Sequence, residues 1–472
     1  MKRRISQLLM ICALLCLCGC SLFSKPVGWV EKKGQQQYYF ENGTYATGWT
    51  DIAGVRYYFD ADGFLQTGWL ELDGHTYYLD PLQGGAVAKN WQELDGKHYY
   101  FAEDGKMHLG WLNLEGEEHT YYMGADGAVT VGWADIDGQR WYFNEQGHRQ
   151  GGWLEMDGKR YFLQGDGTLT CGWATVDGQR RWFDADGVLG SGWVKLEDGT
   201  YYLSDEGVPK TGWADLDGSR YYFSKSGVMQ LGWLNLSSAR YYMGTDGKMT
   251  RGFVMIDNLS YYFDANGRMV TGKQVIDGQT CYFLEDGSQL ILVNPWNYLP
   301  EHYETQLAET QNGLFVSVVC QKPLAEMLAA CRKAGYTVRI KSASRDMGAQ
   351  RHLYNTKVQQ YLDMGYSRAD AEAIACTIVA VPGTSEHQLC LAVDIADANY
   401  LPLDRTQETM PAQKWLMEHC WEYGFILRYP NEKSDVTGII YEPWHYRYVG
   451  KELALKIRDS GLCLEEYLET MF

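Results

Sequence analysis

GWADIDGQRWYFNEQGHRQG, residues 132–151, is the stretch on which the fold turns. Ala134 and Ile136 alternate with Trp133, Asp135 and Asp137, which is the period of a strand. Asp137-Gly138 is the dipeptide favoured in a two-residue type I′ turn, where both central residues need φ > 0. Trp141, Tyr142 and Phe143 make a return strand of β-formers, and Gly147 marks the next turn. The stretch therefore reads as a hairpin, and a lone hairpin is marginal in water.

The hairpin is one copy of many. Trp29, Trp49, Trp69, Trp91, Trp111, Trp133, Trp153, Trp173, Trp193, Trp213 and Trp233 recur every 20 residues, or 22 in two places. Phe253 and Lys273 take the same slot in the last two units. All of these tryptophans except Trp91 follow a glycine. A fixed period of this length signals an array, in which stacked neighbours bury the aromatic face that one hairpin cannot. The expectation is a β-hairpin solenoid of about 13 repeats over residues 28–291.

From Leu292 the period stops. Helical patterns are expected over 323–334, 345–364, 367–380 and 411–423, with Gly335, Gly365 and Gly424 as stop signals. Strand-like VRIKSA (338–343), LAVDIAD (391–397) and FILRY (425–429) lie between them. Segregated helices and strands over 292–472 predict an α+β domain, so the chain is multidomain.

The beginning of the chain bears on address. Lys2, Arg3 and Arg4 precede an apolar run from Leu8 to Cys18, too short to span a bilayer and of the kind found in a secretory signal. With LCGC (17–20) it resembles a bacterial lipoprotein signal. That resemblance implies cleavage after residue 19, a lipid on the Cys20 sulfur, a short linker over 20–27, and a location at the extracellular face of the bacterial membrane and wall. The formal charge of −18 becomes −21 once the first nineteen residues are removed, which argues against a nucleic-acid partner. Eight cysteines remain beyond Cys20, with no CxxC pair or regular spacing, and read as buried free thiols.

Two segments of the α+β region carry chemistry. In TSEHQLCLAVDIAD (384–397), His387 and Asp394 are seven residues apart, about 23 Å on a straight strand, so a turn must fold them together if they share an ion. YEPWHYRYVG (441–450) adds His445, with Glu442 three residues before it. Two imidazoles and one carboxylate with an open fourth position suit a catalytic zinc, and Glu442 is the candidate base. On spacing alone, histidines packed in an aromatic core are the competing reading.

Both regions resemble known families. The GW…YYF…G plan of 28–291 resembles the choline-binding or cell-wall-binding repeats of Gram-positive surface proteins. This implies that aromatic residues, here Trp133, Trp141, Trp153, Trp173 and Trp182, hold a cell-wall polymer, either the choline of teichoic acid or another glycan. The return strands depart from the choline binders in being mostly Tyr-Tyr, as at Tyr57-Tyr58. SASRDMGAQ (342–350), PGTSEHQLCLAVD (382–394) and the segment 425–450 together resemble the VanY-type D-alanyl-D-alanine carboxypeptidases. That resemblance implies one zinc on His387, Asp394 and His445. It makes Glu442 the catalytic base and places Arg345 and Ser385 at the substrate, a peptidoglycan stem peptide, with Gln350 in support. Cys390 stands where the family usually has Gly, and Ser344 where many relatives have Tyr. An L,D-carboxypeptidase, a peptidoglycan endopeptidase, or a surface adhesin with an inert peptidase domain are the alternatives.

Overall fold

The computed structural model describes residues 26–471 except Ser238, His302, Gln311 and Asn312. The expected signal and Cys20, the expected lipid site, lie outside the described residues. Among the described residues no helix is long and apolar enough to cross a membrane. The chain divides into two compact units, Met1–Val194 with Leu203–Pro209, and Lys195–Tyr202 with Lys210–Phe472.

Among the described residues, the repeat region is a succession of thirteen antiparallel hairpins. In the one quoted above, Gly132–Ile136 pairs with Gln139–Phe143, placing Trp133 opposite Tyr142 and Asp135 opposite Arg140. Asp137 and Gly138 have φ of 52° and 77°, as a type I′ turn demands. Trp133 packs edge-on against its own Tyr142 and against Tyr161 of the next hairpin, at ring distances of 5.1 and 5.2 Å. The fully buried residue of the unit is the last aromatic of the return strand, as at Phe59, Phe101, Phe143, Phe183, Phe223 and Phe263. Gly147, at φ 77°, is required by close approach, because a Cβ there would lie 2.1 Å from Val129. The two longer intervals have local causes. A 3₁₀ turn, Pro81–Gln83, is inserted before Trp91, and a longer hairpin loop separates Asn113 from Thr120 before Trp133.

The second unit holds the last hairpins and the α+β region. Its elements are α1 (Val318–Lys333), β1 (Val338–Ser342), α2 (Met347–Asp363), α3 (Arg368–Ala375), β2 (Ala392–Asp397), α4 (Pro411–His419), β3 (Phe425–Leu427), α5 (Ser434–Thr437), β4 (His445–Tyr448), α6 (Lys451–Ser460) and α7 (Leu464–Met471). The sheet runs β1-β2-β4-β3 and is antiparallel throughout. Leu324, Met327 and Leu328 of α1 form the main core with Ile340, Val393, Ile395, Leu416, Phe425 and Tyr446.

Several elements differ from expectation; α4 and β3 end four and two residues early, and α5, α6 and α7 were not expected. α1 begins five residues before Pro323, because the Ser317 hydroxyl accepts from the Val319 amide and caps it earlier. α3 starts at the expected cap, Ser367, but stops at Ala375. β4 was not expected as a strand, since its His445 and Arg447 break the apolar pattern while being buried. The last hairpin shares a core with the α+β elements: Tyr282 and Leu290 are buried with Ile426, Leu453, Ile457, Leu464 and Leu468.

Candidate metal centre

The sheet register assembles the centre. Asp394 on β2 stands opposite Ser342 on β1 and opposite His445 on β4. The turn that the His387–Asp394 spacing requires is a 3₁₀ segment, Glu386–Leu389, closed by Cys390 in the left-handed region at φ 60°. His387, Asp394 and His445 each bring one ligand atom, all within 4.8 Å of one another, and all three are buried. His387 Nε2 lies 3.1 Å from Asp394 Oδ2, and His445 Nδ1 lies 3.0 Å from Asp394 Oδ1. The other nitrogen of His387, Nδ1, is 2.7 Å from the Ala343 carbonyl. A proton on Nδ1 donated to that carbonyl turns the Nε2 lone pair toward the centre. Two imidazoles and a carboxylate, so oriented, are a donor set that fits zinc.

Glu442 is buried beside this set, its Oε2 3.5 Å from His445 Nδ1. Burial pushes its carboxyl up to about 8, and the charge of Asp394 adds to that while His445 and Arg345 oppose it. Burial alone would strip His445 of its proton, but the carboxylates of Asp394 and Glu386 beside it carry its pKa up to about 9. Burial also raises Asp394, and the two imidazoles more than reverse this, holding it well below the usual carboxylate range.

Arg345, Ser385 and Glu442 line one cleft with the three ligands, about 690 Å³ in volume. The Arg345 guanidinium donates to Gln350 Oε1 at 2.6 Å and to Ser342 Oγ at 2.8 Å, and its backbone amide donates to the His387 carbonyl. Gln350 is itself buried and donates to the Ala380 carbonyl. Neutral partners fix the guanidinium, and no described carboxylate pairs with it. The thiol of Cys390 does not line this cleft; its sulfur lies against the Gln388 carbonyl. Tyr429, Trp444, Lys357 and Arg405 also line the cleft and were not singled out from the sequence: Lys357 and Arg405 stand outside the motif segments, and Tyr429 and Trp444 stand within 425–450 without a chemical cue.

Four of the five tryptophans expected to hold a polymer share a feature that the sequence reading missed. Arginines lie over Trp133 (Arg140, 5.3 Å), Trp141 (Arg149, 6.0 Å), Trp153 (Arg160, 4.7 Å) and Trp173 (Arg180, 3.8 Å). Trp182 lies opposite Trp173 in the hairpin register. For Trp133, Trp153 and Trp173 the arginine seven residues on was the available signal, since it sits diagonally across the hairpin from the ring; Arg149 reaches Trp141 from the turn that follows the hairpin. Trp29 and Trp69 have Gln36 and Thr76 at that position and are 41% and 45% exposed.

Residues 314–451 match the VanY family, described as D-alanyl-D-alanine carboxypeptidase. Residues 46–91, 88–131 and 250–296 match the choline-binding repeat, and 211–229 and 232–249 match the "Putative cell wall binding repeat". A D-alanyl-D-alanine carboxypeptidase of Enterococcus faecalis is 44% identical over 182 residues, 38% of this chain and 66% of that protein. The "Putative carboxypeptidase YodJ" of Bacillus subtilis is 35% identical over 191 residues, 38% of this chain and 67% of that protein. The solved structure of VanYB in complex with D-alanine-D-alanine is 43% identical, covering 38% of this chain and 97% of that one, with a TM-score of 0.36. The chain thus spans about two thirds of the length of these two curated relatives. Choline-binding repeats precede a zinc-peptidase domain in this chain, and through that domain the chain belongs to the VanY family of D-alanyl-D-alanine carboxypeptidases.

Proposed function

We propose that the protein removes the terminal D-alanine from peptidoglycan stem peptides while its repeats hold it on a cell-wall polymer. The observation that carries the reading is Arg345: a guanidinium fixed by neutral partners, without a described carboxylate, in the same cleft as the His387, Asp394 and His445 set. A carboxypeptidase must recognise a free carboxylate, and a planar guanidinium takes one bidentately.

In this reading His387, Asp394 and His445 hold one zinc ion. Bound there, zinc supplies Lewis acidity toward the scissile carbonyl and the attacking water. Arg345, steadied by Gln350, takes the C-terminal carboxylate, and Ser385 lines the wall beside it. Glu442 accepts a proton from the water and returns it to the leaving amine, work suited to a carboxyl raised toward neutrality. The exported chain, anchored through a lipid on Cys20, acts at the outer face of the membrane. Its repeats take teichoic-acid choline or another wall glycan, with Trp133, Trp141, Trp153, Trp173 and Trp182 among the residues of that contact.

Glu442→Gln with full zinc content tests the reading against an inert adhesin. Wild type that releases alanine from pentapeptide, and a zinc-loaded variant that does not, support it. Equal inactivity of both would favour the adhesin.

A further inference from the structure

Glu386 is fully buried beside His387, and the chemistry above makes no use of it. Its surroundings follow from the strand period. His445 and Arg447 are two residues apart on β4 and share one face, opposite Asp394 and Ala392 of β2. Glu386 Oε1 accepts from Arg447 Nη1 at 3.1 Å and from Arg428 Nε at 2.6 Å. Arg428 turns its other two nitrogens to Glu465 on α7, at 2.8 and 2.6 Å. Arg447 Nη2 donates to the Ile291 carbonyl, and Asn294 donates to Glu465. Both arginine side chains are as inaccessible as Glu386 itself.

One oxygen of Glu386 is left over. Oε2 lies 3.5 Å from His445 Nε2, and among the described residues neither atom has a hydrogen-bond partner. Buried polar atoms are seldom orphaned, and two facing each other call for an explanation. A purely structural ion cluster needs only Oε1, which already serves both arginines. His445 points Nδ1 at the centre, so ligation through Nδ1 leaves Nε2 as an N–H donor aimed at Oε2. An approach of about half an ångström makes this a charge-assisted hydrogen bond of ordinary length.

We propose that Glu386 is a positioning residue of the metal centre: its Oε2 accepts the Nε2–H of His445 and holds the ring with Nδ1 toward the ion. Arg428 and Arg447 fix the carboxylate through its other oxygen. The proposal rests on the metal centre described above. The buried ion cluster around Glu386 also reaches Glu465 on α7 and the Ile291 carbonyl after the last hairpin, and these outer contacts serve the fold rather than the ion.

The test is the zinc affinity of the full chain, measured by competition with a chelating dye, together with the visible spectrum of the cobalt-substituted protein. Glu386→Asp keeps the charge among the arginines but shortens the reach by one methylene. It is expected to lose 10- to 100-fold in zinc affinity, the usual effect of removing a ligand's outer partner, and to shift the cobalt spectrum. Glu465→Gln breaks the same cluster at its far end; it is expected to lower the melting temperature of the metal-free protein while leaving zinc affinity within about twofold of wild type. A folded Glu386→Asp variant with wild-type affinity and spectrum would overturn the role of Glu386 alone. Wild type that binds no zinc would overturn the metal centre and this role with it. Should Glu386→Asp fail to fold, imidazole nitrogen NMR of zinc-loaded wild type decides. A protected Nε2 proton on His445 supports the assignment, and ligation through Nε2 overturns it.

Discussion

Asp394 and His445 face each other across neighbouring antiparallel strands, with His445 Nδ1 3.0 Å from Asp394 Oδ1. The backbone ladder therefore brings together two ligands 51 residues apart in the chain. Because the ladder does not depend on the side chains, His445→Ala should leave the fold in place and empty the site. Metal analysis after dialysis is expected to fall from one zinc per chain to below about a tenth, with an unchanged far-ultraviolet spectrum. Retention of a full equivalent would remove His445 from the ligand set.

The same pair predicts a pH dependence. In the metal-free centre His445 is protonated up to about pH 9, because Asp394 and Glu386 outweigh its burial. Zinc needs the neutral ring, so it must displace that proton below pH 9. Affinity should climb as pH rises from 6 to 8, and binding at pH 7 should release a proton, seen by calorimetry in buffers of different ionisation enthalpy. An affinity constant over that range would contradict the assignment.

Cys390 occupies a left-handed position at φ 60°, where a Cβ is costly. Replacing it by Gly relieves that strain but gives up unfolded-state entropy, for a net gain of roughly 0.5–1 kcal/mol. Chemical denaturation should show a later midpoint with unchanged zinc content, since the thiol lies outside the cleft. A destabilised variant would mean that the packing of the sulfur outweighs the strain.

Arginine and an external cation compete for the same tryptophan face. Arg180 lies 3.8 Å from the Trp173 ring centre, whereas Trp69 is exposed beside Tyr78 and Tyr99. If the wall ligand is choline, Trp69→Ala should weaken retention on an immobilised choline column more than Trp173→Ala, by about 0.5–2 kcal/mol at that site. The reverse order would show that the arginines leave the face accessible.

The parts that were legible in the sequence are those set by local chemistry. Asp137-Gly138 can hardly be anything but a tight turn, and the tryptophan period follows from stacking identical units. His387, Asp394 and His445 were legible through their motifs, and the left-handed turn at Cys390 explains how the first two meet. What was not legible depends on long-range contacts. The start of α1 was set by Ser317 rather than Pro323. β4 was hidden because its charged His445 and Arg447 find buried partners elsewhere in the chain. Glu386, which by composition belongs on a surface, is buried because two arginines from β4 and the end of β3 converge on it.

The proposed reaction is a zinc-dependent cut that frees one alanine. Purified chain is incubated with muropeptides carrying pentapeptide stems, with and without a chelator, and the products are read by mass spectrometry. The account predicts loss of a single terminal alanine from pentapeptide, abolished by the chelator and restored by added zinc. Chelator-resistant release, or loss of alanine from tetrapeptide alone, would contradict it.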